Sequence, residues 1–379
     1  MISSKLIILL NLYYNHSIIY RVKLEMSLKI GMISSDLPEA GKKPGGVAVV
    51  VHELANALVR DGNYVCIYSH TPKPNDANYV VKTIPQVTKS RTFARRLILP
   101  FQMTVLDFKG LDIVHLHGDD WAFLFRSLPT VRTFHGCSLN EAKFGDVLRR
   151  RLMHLVYHPL EVLANTFATV SVGVGDDTVK LLGAKYVIPN GYAENLFYPE
   201  QKSPNPTAIV IGTLEGRKQS KRAIELLLSV QKEIPNLIIH AVIDQPYNHP
   251  SVQNWLGISK GQLGKLVRES WIGVSATRYE GFGTYYLEWM AAGTVPITLS
   301  NIGTKSLIEN AQAGILVSRE SELREAVVLM IKNAALREKY SKNGVKVSKL
   351  LTWDNIATQY IKVYWEAINQ KKINYISAE

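Results

Sequence analysis

Residues 275–297 read SATRYEGFGTYYLEWMAAGTVPI, and the order of parts in this stretch orients the rest of the chain. An acidic residue, Glu280, stands in a turn with Gly281 and Gly283, and a helical pattern follows. Thr284 is the expected N-cap, Leu287, Met290 and Ala291 share one face, and Glu288 falls in the second turn. Gly293 stops the helix and Pro296 lies shortly beyond. Glycines let backbone N–H groups approach a ligand closely, and a helix N-terminus favours negative charge. The stretch therefore reads as a seat for a pyrophosphate, with one carboxylate above it and a second reaching from the helix. A plain strand–turn–helix junction with a solvated glutamate has the same spacing, so the reading depends on partners elsewhere.

At 379 residues the chain exceeds one ordinary core, and two domains are expected. Hydrophobic residues make up 46% and charged residues 20%, a globular balance. Cys66 and Cys137 have no CxxC neighbour and make no disulfide framework, which fits a reducing, cytoplasmic setting. The net charge of +12 asks for an anionic partner such as a phosphate-bearing substrate, acidic lipid or nucleic acid, or else reflects a lysine-rich surface. No run of 18 apolar residues predicts a membrane-spanning helix. Residues 1–25 contain LIILLNLYY, interrupted by Asn11, Asn15 and His16, and Met26 begins a more natural start at MSLKIGMISSD. They read as an upstream-start artefact or a loose apolar extension.

Strands alternate with helices along the rest. A strand over Leu28–Ser34, a loop with Gly45 and Gly46, a helix in VAVVVHELANALVRDG and a strand over Val65–Ser69 make a parallel βαβ unit. Further strands are expected at Ile113–His117, Thr130–Phe134, Phe167–Val172 and Lys185–Ile188. His115 and His117 share a strand face without a third ligand at metal spacing, so no zinc site is expected from them. The polar, proline-bearing SPNPT at 203–207 reads as a linker. A second set follows: a strand at Ala208–Ile211, a loop GTLEGRKQSK carrying Arg217, Lys218 and Lys221, a helix, and strands at Leu237–Val242, Trp271–Ser275 and Gly314–Val317. Residues 320–347 read as largely helical and Trp353–Ile368 as a closing helix. The fold class is thus α/β, two Rossmann-like doubly wound domains facing a cleft. Their bounds are 26–202 and 203–352, with 353–379 returning to the first domain.

In this order the motifs resemble the GT-B glycosyltransferases of family 4, which use nucleotide sugars with retention. The strongest match is Glu280-x7-Glu288 in EGFGTYYLEWMAAGTVPI; GGVAVVVHELANAL, HLHG, TFHG, VIPNGY, IGTLEGRK and TWDNIATQYIKVYWEAI support it across residues 28–368. The resemblance implies a sugar-holding role for Glu280, ribose contact for Glu288, and diphosphate contact for the N–H groups around Phe282, Gly283 and Thr284. It implies that Arg217 and Lys218, in the loop opening at Gly212, neutralise the leaving diphosphate. It places Gly46 near the same phosphates and His135 near the reacting carbon of the donor sugar. No metal or other cofactor is implied, and the donor is a UDP-, GDP- or ADP-sugar. The acceptor is a glycan or lipid-linked hydroxyl. Thr213 departs from the pattern where many relatives carry arginine, and Ile243, Asp244 and Gln245 replace a common glycine turn. The alternatives are a catalytically weak sugar-nucleotide binder, motivated by Thr213, and another GT-B enzyme of epimerase type.

Two stretches, 90–103 and 143–160, combine arginines (Arg91, Arg95 and Arg96; Arg149, Arg150 and Arg151) with leucines, isoleucine and phenylalanine. Basic amphipathic helices lie on anionic membranes, so peripheral attachment to the inner face of the cell membrane is an expectation. An ordinary arginine-rimmed surface helix is the other reading. A basic nucleic-acid binder is the least favoured class, because neither a recognition motif nor aromatic–basic interleaving is present.

Overall fold

The computed structural model describes residues 27–39, 41, 44–86, 97–118, 120–123, 128–145 and 147–376. The extension over 1–25 and the cluster Arg91, Phe93, Arg95 and Arg96 lie outside the described residues. The chain forms two compact units. The first holds the described parts of Leu12–Leu139, Leu152–Gly191 and Trp353–Glu379; the second holds Asn140–Arg151 and Tyr192–Thr352.

The first unit is built on a seven-stranded parallel sheet in the order β3-β2-β1-β4-β5-β6-β7. Its strands are β1 (Lys29–Ile33), β2 (Tyr64–Ser69), β3 (Val80–Thr83), β4 (Ile113–Leu116), β5 (Thr130–Phe134), β6 (Val170–Gly173) and β7 (Tyr186–Val187). The central strands are near-continuous apolar runs, as expected of a parallel sheet covered on both faces. Helix α1 (Gly46–Arg60) buries Val50, Val51, Leu54, Ala55 and Leu58, residues three or four apart on one face. Helix α2 (Ser138–Phe144) belongs to the second unit from Asn140 on, α3 (Leu148–Phe167) to the first from Leu152 on, and α4 (Asp176–Leu182) follows in the first. The C-terminal helix, Trp353–Ile376, packs on α1, β5 and β6 through a face that includes the buried Ile356, Tyr360 and Tyr364.

The second unit carries a six-stranded parallel sheet, β10-β9-β8-β11-β12-β13. Its strands are β8 (Thr207–Ile211), β9 (Ile238–Val242), β10 (Val252–Trp255), β11 (Ile272–Ser275), β12 (Val295–Leu299) and β13 (Ile315–Val317). Ala208, Val210, Ile239, Val274 and Ile297 of the sheet join Ile224 and Leu227 of α5 (Ser220–Gln231) in one core. The other helices are α6 (Lys260–Glu269), α7 (Thr284–Ala291), α8 (Glu320–Lys332), α9 (Ala334–Ser348) and the C-terminal α10 (Trp353–Ile376), which belongs to the first unit.

Several sequence expectations are revised. The passage between units falls at Gly191–Tyr192, whereas the sequence put it at 202–203. Lys202 already belongs to the second unit, donating to the Arg268 and Ala292 carbonyls and to Thr294 Oγ1. Helix α3 runs to Phe167, so the strand expected from that residue begins at Val170. The helical stretch from 320 divides at Asn333, whose side chain accepts the Leu336 N–H and opens α9. Helix α10 continues past Ile368 to Ile376. Strands β3, β10 and β12 were not expected.

Candidate active site

In open α/β sheets ligands bind beyond the strand C-termini where the strand order reverses. The first sheet reverses between β1 and β4, and the second between β8 and β11. The loop after β1 leads to Gly45 and Gly46, and β4 runs into His117. The loop after β8 holds Gly212, Arg217 and Lys218, and the segment after β11 holds Glu280. Each unit thus presents its motif residues at its own switch point.

In the second unit the site is a knot of charge. Glu280, only 8% exposed, forms an ion pair with Lys218, and the Arg217 guanidinium stands 3.9 Å from its other oxygen. Arg217 Nη1 also donates to Glu141 Oε1 at 2.9 Å and to the Tyr279 carbonyl at 3.2 Å. Burial opposes the Arg217 charge, but the Glu280 and Glu141 carboxylates outweigh it and hold its pKa above the ordinary value. Lys218 Nζ lies 4.2 Å from the centroid of the Tyr285 ring, a cation–π contact. Lys221 turns away to Glu215, at 3.6 Å.

The loop that aims the cations is tightly turned. The Gly212 N–H donates to the Val242 carbonyl at 3.0 Å, and a Cβ there would sit 2.5 Å from Ser220 Oγ. Asp244 accepts the Leu214 N–H at 2.8 Å, and Thr213 Oγ1 donates to the Glu215 carbonyl at 2.8 Å. Two of the residues that depart from the family pattern, Thr213 and Asp244, therefore brace the loop. Gln219 holds a left-handed φ of 52°, costly for a residue with a side chain, just before α5 begins.

Thr284 is not the cap of α7. Gly283 takes that position with φ 76°, a conformation that favours glycine, and Thr284 is the first helical residue. Phe282 and Gly283 are buried and Thr284 is half-buried at this helix start, while Glu288 is half-buried in the second turn. The helix fits its last turn to Gly293, φ 72°, as expected.

Sequence reasoning missed the support beneath this site. Gly303 donates its N–H to the Glu280 carbonyl at 3.1 Å, and Asn301 Nδ2 donates to the Thr277 carbonyl at 3.2 Å. Ser275, Thr277, Tyr285, Tyr286 and Thr298 share buried hydroxyl hydrogen bonds of 2.9–3.3 Å. Thr277 Oγ1 then donates to the Lys218 carbonyl at 3.1 Å, so the network joins the cation loop to α7. Glu141 was also missed. It comes from a segment distant in sequence, joined here by its ion pair with Arg217 and by the adjoining Phe144–Tyr279 stack, ring centroids 5.4 Å apart.

In the first unit, Gly45 and Gly46 are exposed at the start of α1, with Gly45 at the cap, and a Cβ on either would meet no described atom within 4 Å. His135 follows β5. Its Nε2 lies 3.1 Å from His117 Nδ1 and the rings stack, whereas its Nδ1 is buried without a hydrogen-bond partner. Burial lowers the His135 pKa to about 4 and holds His115 and His117 well below the ordinary imidazole range, so all three are neutral at pH 7. His115 is engaged at both nitrogens, with Tyr364 OH at 2.7 Å and Thr133 Oγ1 at 2.8 Å. This explains His115 as a link to α10, whereas His117 pairs with His135.

The family model for Glycosyltransferase Family 4 matches residues 44–195, and that for Glycosyl transferases group 1 matches residues 194–347. A phosphatidyl-myo-inositol mannosyltransferase of Mycobacterium leprae is 24% identical over 383 residues, covering 89% of this chain and 96% of that protein. An uncharacterized glycosyltransferase of Methanocaldococcus jannaschii is 22% identical, covering 85% and 95%. Among solved structures, the sucrose-phosphate synthase of Thermosynechococcus elongatus superposes with a TM-score of 0.73 at 17% identity, over 89% of this chain and 98% of that one. The fold is GT-B, two Rossmann-like domains. The chain belongs to the family 4, group 1 glycosyltransferases and is a glycosyltransferase enzyme.

Proposed function

We propose that the chain transfers a hexosyl group, with retention, from a nucleoside-diphosphate sugar to a hydroxyl of a lipid-linked or polysaccharide acceptor. The observation that carries this reading is the convergence of Arg217 and Lys218 on Glu280 at the switch point of the second sheet. Breaking the bond from the sugar C1 to the phosphate oxygen sends the electron pair to the diphosphate and leaves oxocarbenium character on the sugar. Two fixed cations and the start of α7 stabilise the leaving group without a metal. Glu280 holds donor-sugar hydroxyls, Glu288 the ribose, and the N–H groups at Phe282, Gly283 and Thr284 the diphosphate. To His135 we assign contact near the reacting carbon, for which its Nδ1 is available, and to Gly46 an approach to the phosphates. The acceptor oxygen bonds to C1 on the face the phosphate leaves, and its proton passes to the departing phosphate oxygen.

Two observations favour a lipid-linked acceptor. One is the name of the Mycobacterium leprae relative, which states a phosphatidyl-myo-inositol substrate for that protein. The other is α3, which exposes Leu148, Leu152, Leu155 and Val156 beside Arg149, Arg150 and Arg151. Among the described residues no helix is long and apolar enough to cross a membrane; peripheral attachment is part of this proposal.

The test is a calorimetric screen of UDP-, GDP- and ADP-sugars, followed by transfer assays on native chain and Glu280→Ala. We expect one nucleotide class to bind and the variant to lose nearly all transfer while keeping its melting temperature. Native-like transfer by the variant overturns the assignment of Glu280.

A further inference from the structure

Beyond β5 the first unit passes through His135, Gly136 and Cys137 to Ser138, and this turn is pinned to α3. The Ser138 N–H donates to Glu161 Oε2 at 3.0 Å and its hydroxyl to Glu161 Oε1 at 2.7 Å. His158 lies one helical turn earlier on the same face, its Nδ1 3.8 Å from Glu161 Oε2 and 4.0 Å from Cys137 Sγ. The three ligand atoms all lie within 4.8 Å of one another.

This is not the geometry of a proton relay. A relay uses both imidazole nitrogens, one toward the nucleophile and one toward the acid. Here thiol and carboxylate converge on the same Nδ1, which cannot accept from one and donate to the other together. Convergence on a common point is what a cation requires. Zinc bonds of about 2.3 Å to sulfur and about 2.0–2.2 Å to nitrogen and oxygen, at tetrahedral angles, space these ligands roughly 3.4–3.6 Å apart. The two separations from His158 Nδ1, 3.8 and 4.0 Å, close to that by about half an ångström, and the sulfur lies within 4.8 Å of the carboxylate. Thiolate and imidazole select zinc over magnesium or calcium, and Ser138 supplies the hydrogen bonds that orient the carboxylate.

We infer that Cys137 Sγ, His158 Nδ1 and the Glu161 carboxylate form a site for one Zn²⁺, with water in the fourth position, that fastens the turn after His135 to α3. On binding, the Cys137 thiol gives its proton to solvent and the sulfur–zinc bond forms. Thiolate and carboxylate together neutralise the ion, so the filled site carries no net charge. The ion is structural, distinct from the sugar transfer, and the inference does not rest on that reading.

The full chain, stripped with a chelator, is titrated with Co²⁺ and then Zn²⁺. One equivalent of Co²⁺ should give a thiolate-to-cobalt charge-transfer band, and Zn²⁺ should bleach it and raise the melting temperature. Cys137→Ser should abolish the band, and His158→Ala, a change at a partly exposed side chain, should weaken binding at least a hundredfold. Ser138→Ala should weaken it about tenfold to a hundredfold, as loss of an orienting hydrogen bond does. Circular dichroism of each variant verifies folding. Absence of saturable binding in the native chain, or an unchanged band in folded Cys137→Ser, overturns the site.

Discussion

The Gly303 N–H donates to the Glu280 carbonyl at 3.1 Å, and a Cβ on Gly303 would lie 2.6 Å from that same oxygen. Main chain rather than a flexible side chain blocks the space, so Gly303→Ala has to move the backbone that carries Glu280. Overpacking of this kind costs about 1–3 kcal/mol, and a misplacement near 1 Å at a reacting centre costs about a hundredfold in rate. We expect the variant to fold with a lowered melting temperature and to lose kcat about a hundredfold. Initial rates at saturating donor check this; a kcat within threefold of native would show that Gly303 does not position Glu280.

Lys218 and Glu280 are paired within a largely buried site, with Arg217 at 3.9 Å as the remaining cation. Lys218→Met keeps the length of the stem but removes the charge and with it the cation–π contact to Tyr285. As a fixed donor to the departing diphosphate, Lys218 should contribute about 10²–10³ in kcat. Release of nucleoside diphosphate by native and variant enzyme measures the loss. Rates that differ by less than fivefold would remove Lys218 from the chemistry.

Most of the architecture was legible because periodicity and punctuation agree: an apolar run, a glycine loop and a helix stopped by glycine repeat in both halves. The missed strands have identifiable reasons. β3 (VVKT) and β10 (VQNW) are exposed edge strands without an apolar run. β12 contains Pro296, which argues against a central strand, yet it pairs with both β11 and β13. Within the site, Glu280, Arg217 and Lys218 were visible as charges flanking glycines in matching loops. Glu141, Gly303 and the hydroxyls of Tyr285 and Tyr286 act through contacts between segments far apart in sequence, which no local pattern encodes.

Burial holds His115, His117 and His135 neutral in the folded chain, His135 at about 4, whereas unfolded imidazoles titrate near 6.5. Between about pH 6.5 and 4 the unfolded chain binds more protons than the native one. Stability is therefore fully present above that window and falls as pH drops through it. Melting temperatures from pH 7.5 to 4.5 should decline below 6.5, with a shallower decline in His117→Gln. Equal slopes for the two proteins would show that the histidine pair does not set the acid response.

Along α3, Leu148, Leu152, Leu155 and Val156 recur at helical spacing and remain exposed, Val156 to 73%. A soluble surface gains nothing from this stripe, whereas burying each such side chain in an acyl layer is worth about 1.5–3 kcal/mol. Arg149, Arg150 and Arg151, all exposed, lie beside it and add attraction to anionic headgroups, on the order of 1 kcal/mol each near the surface. Flotation with phosphatidylglycerol vesicles at moderate salt should carry the native chain upward, and neutral vesicles should carry far less. Leu152→Glu combined with Val156→Glu should abolish flotation while leaving transfer to a soluble acceptor unchanged, because neither side chain belongs to the charge knot. Native-like flotation of the double variant would mean that α3 is an ordinary surface helix and that any membrane attachment lies elsewhere in the chain.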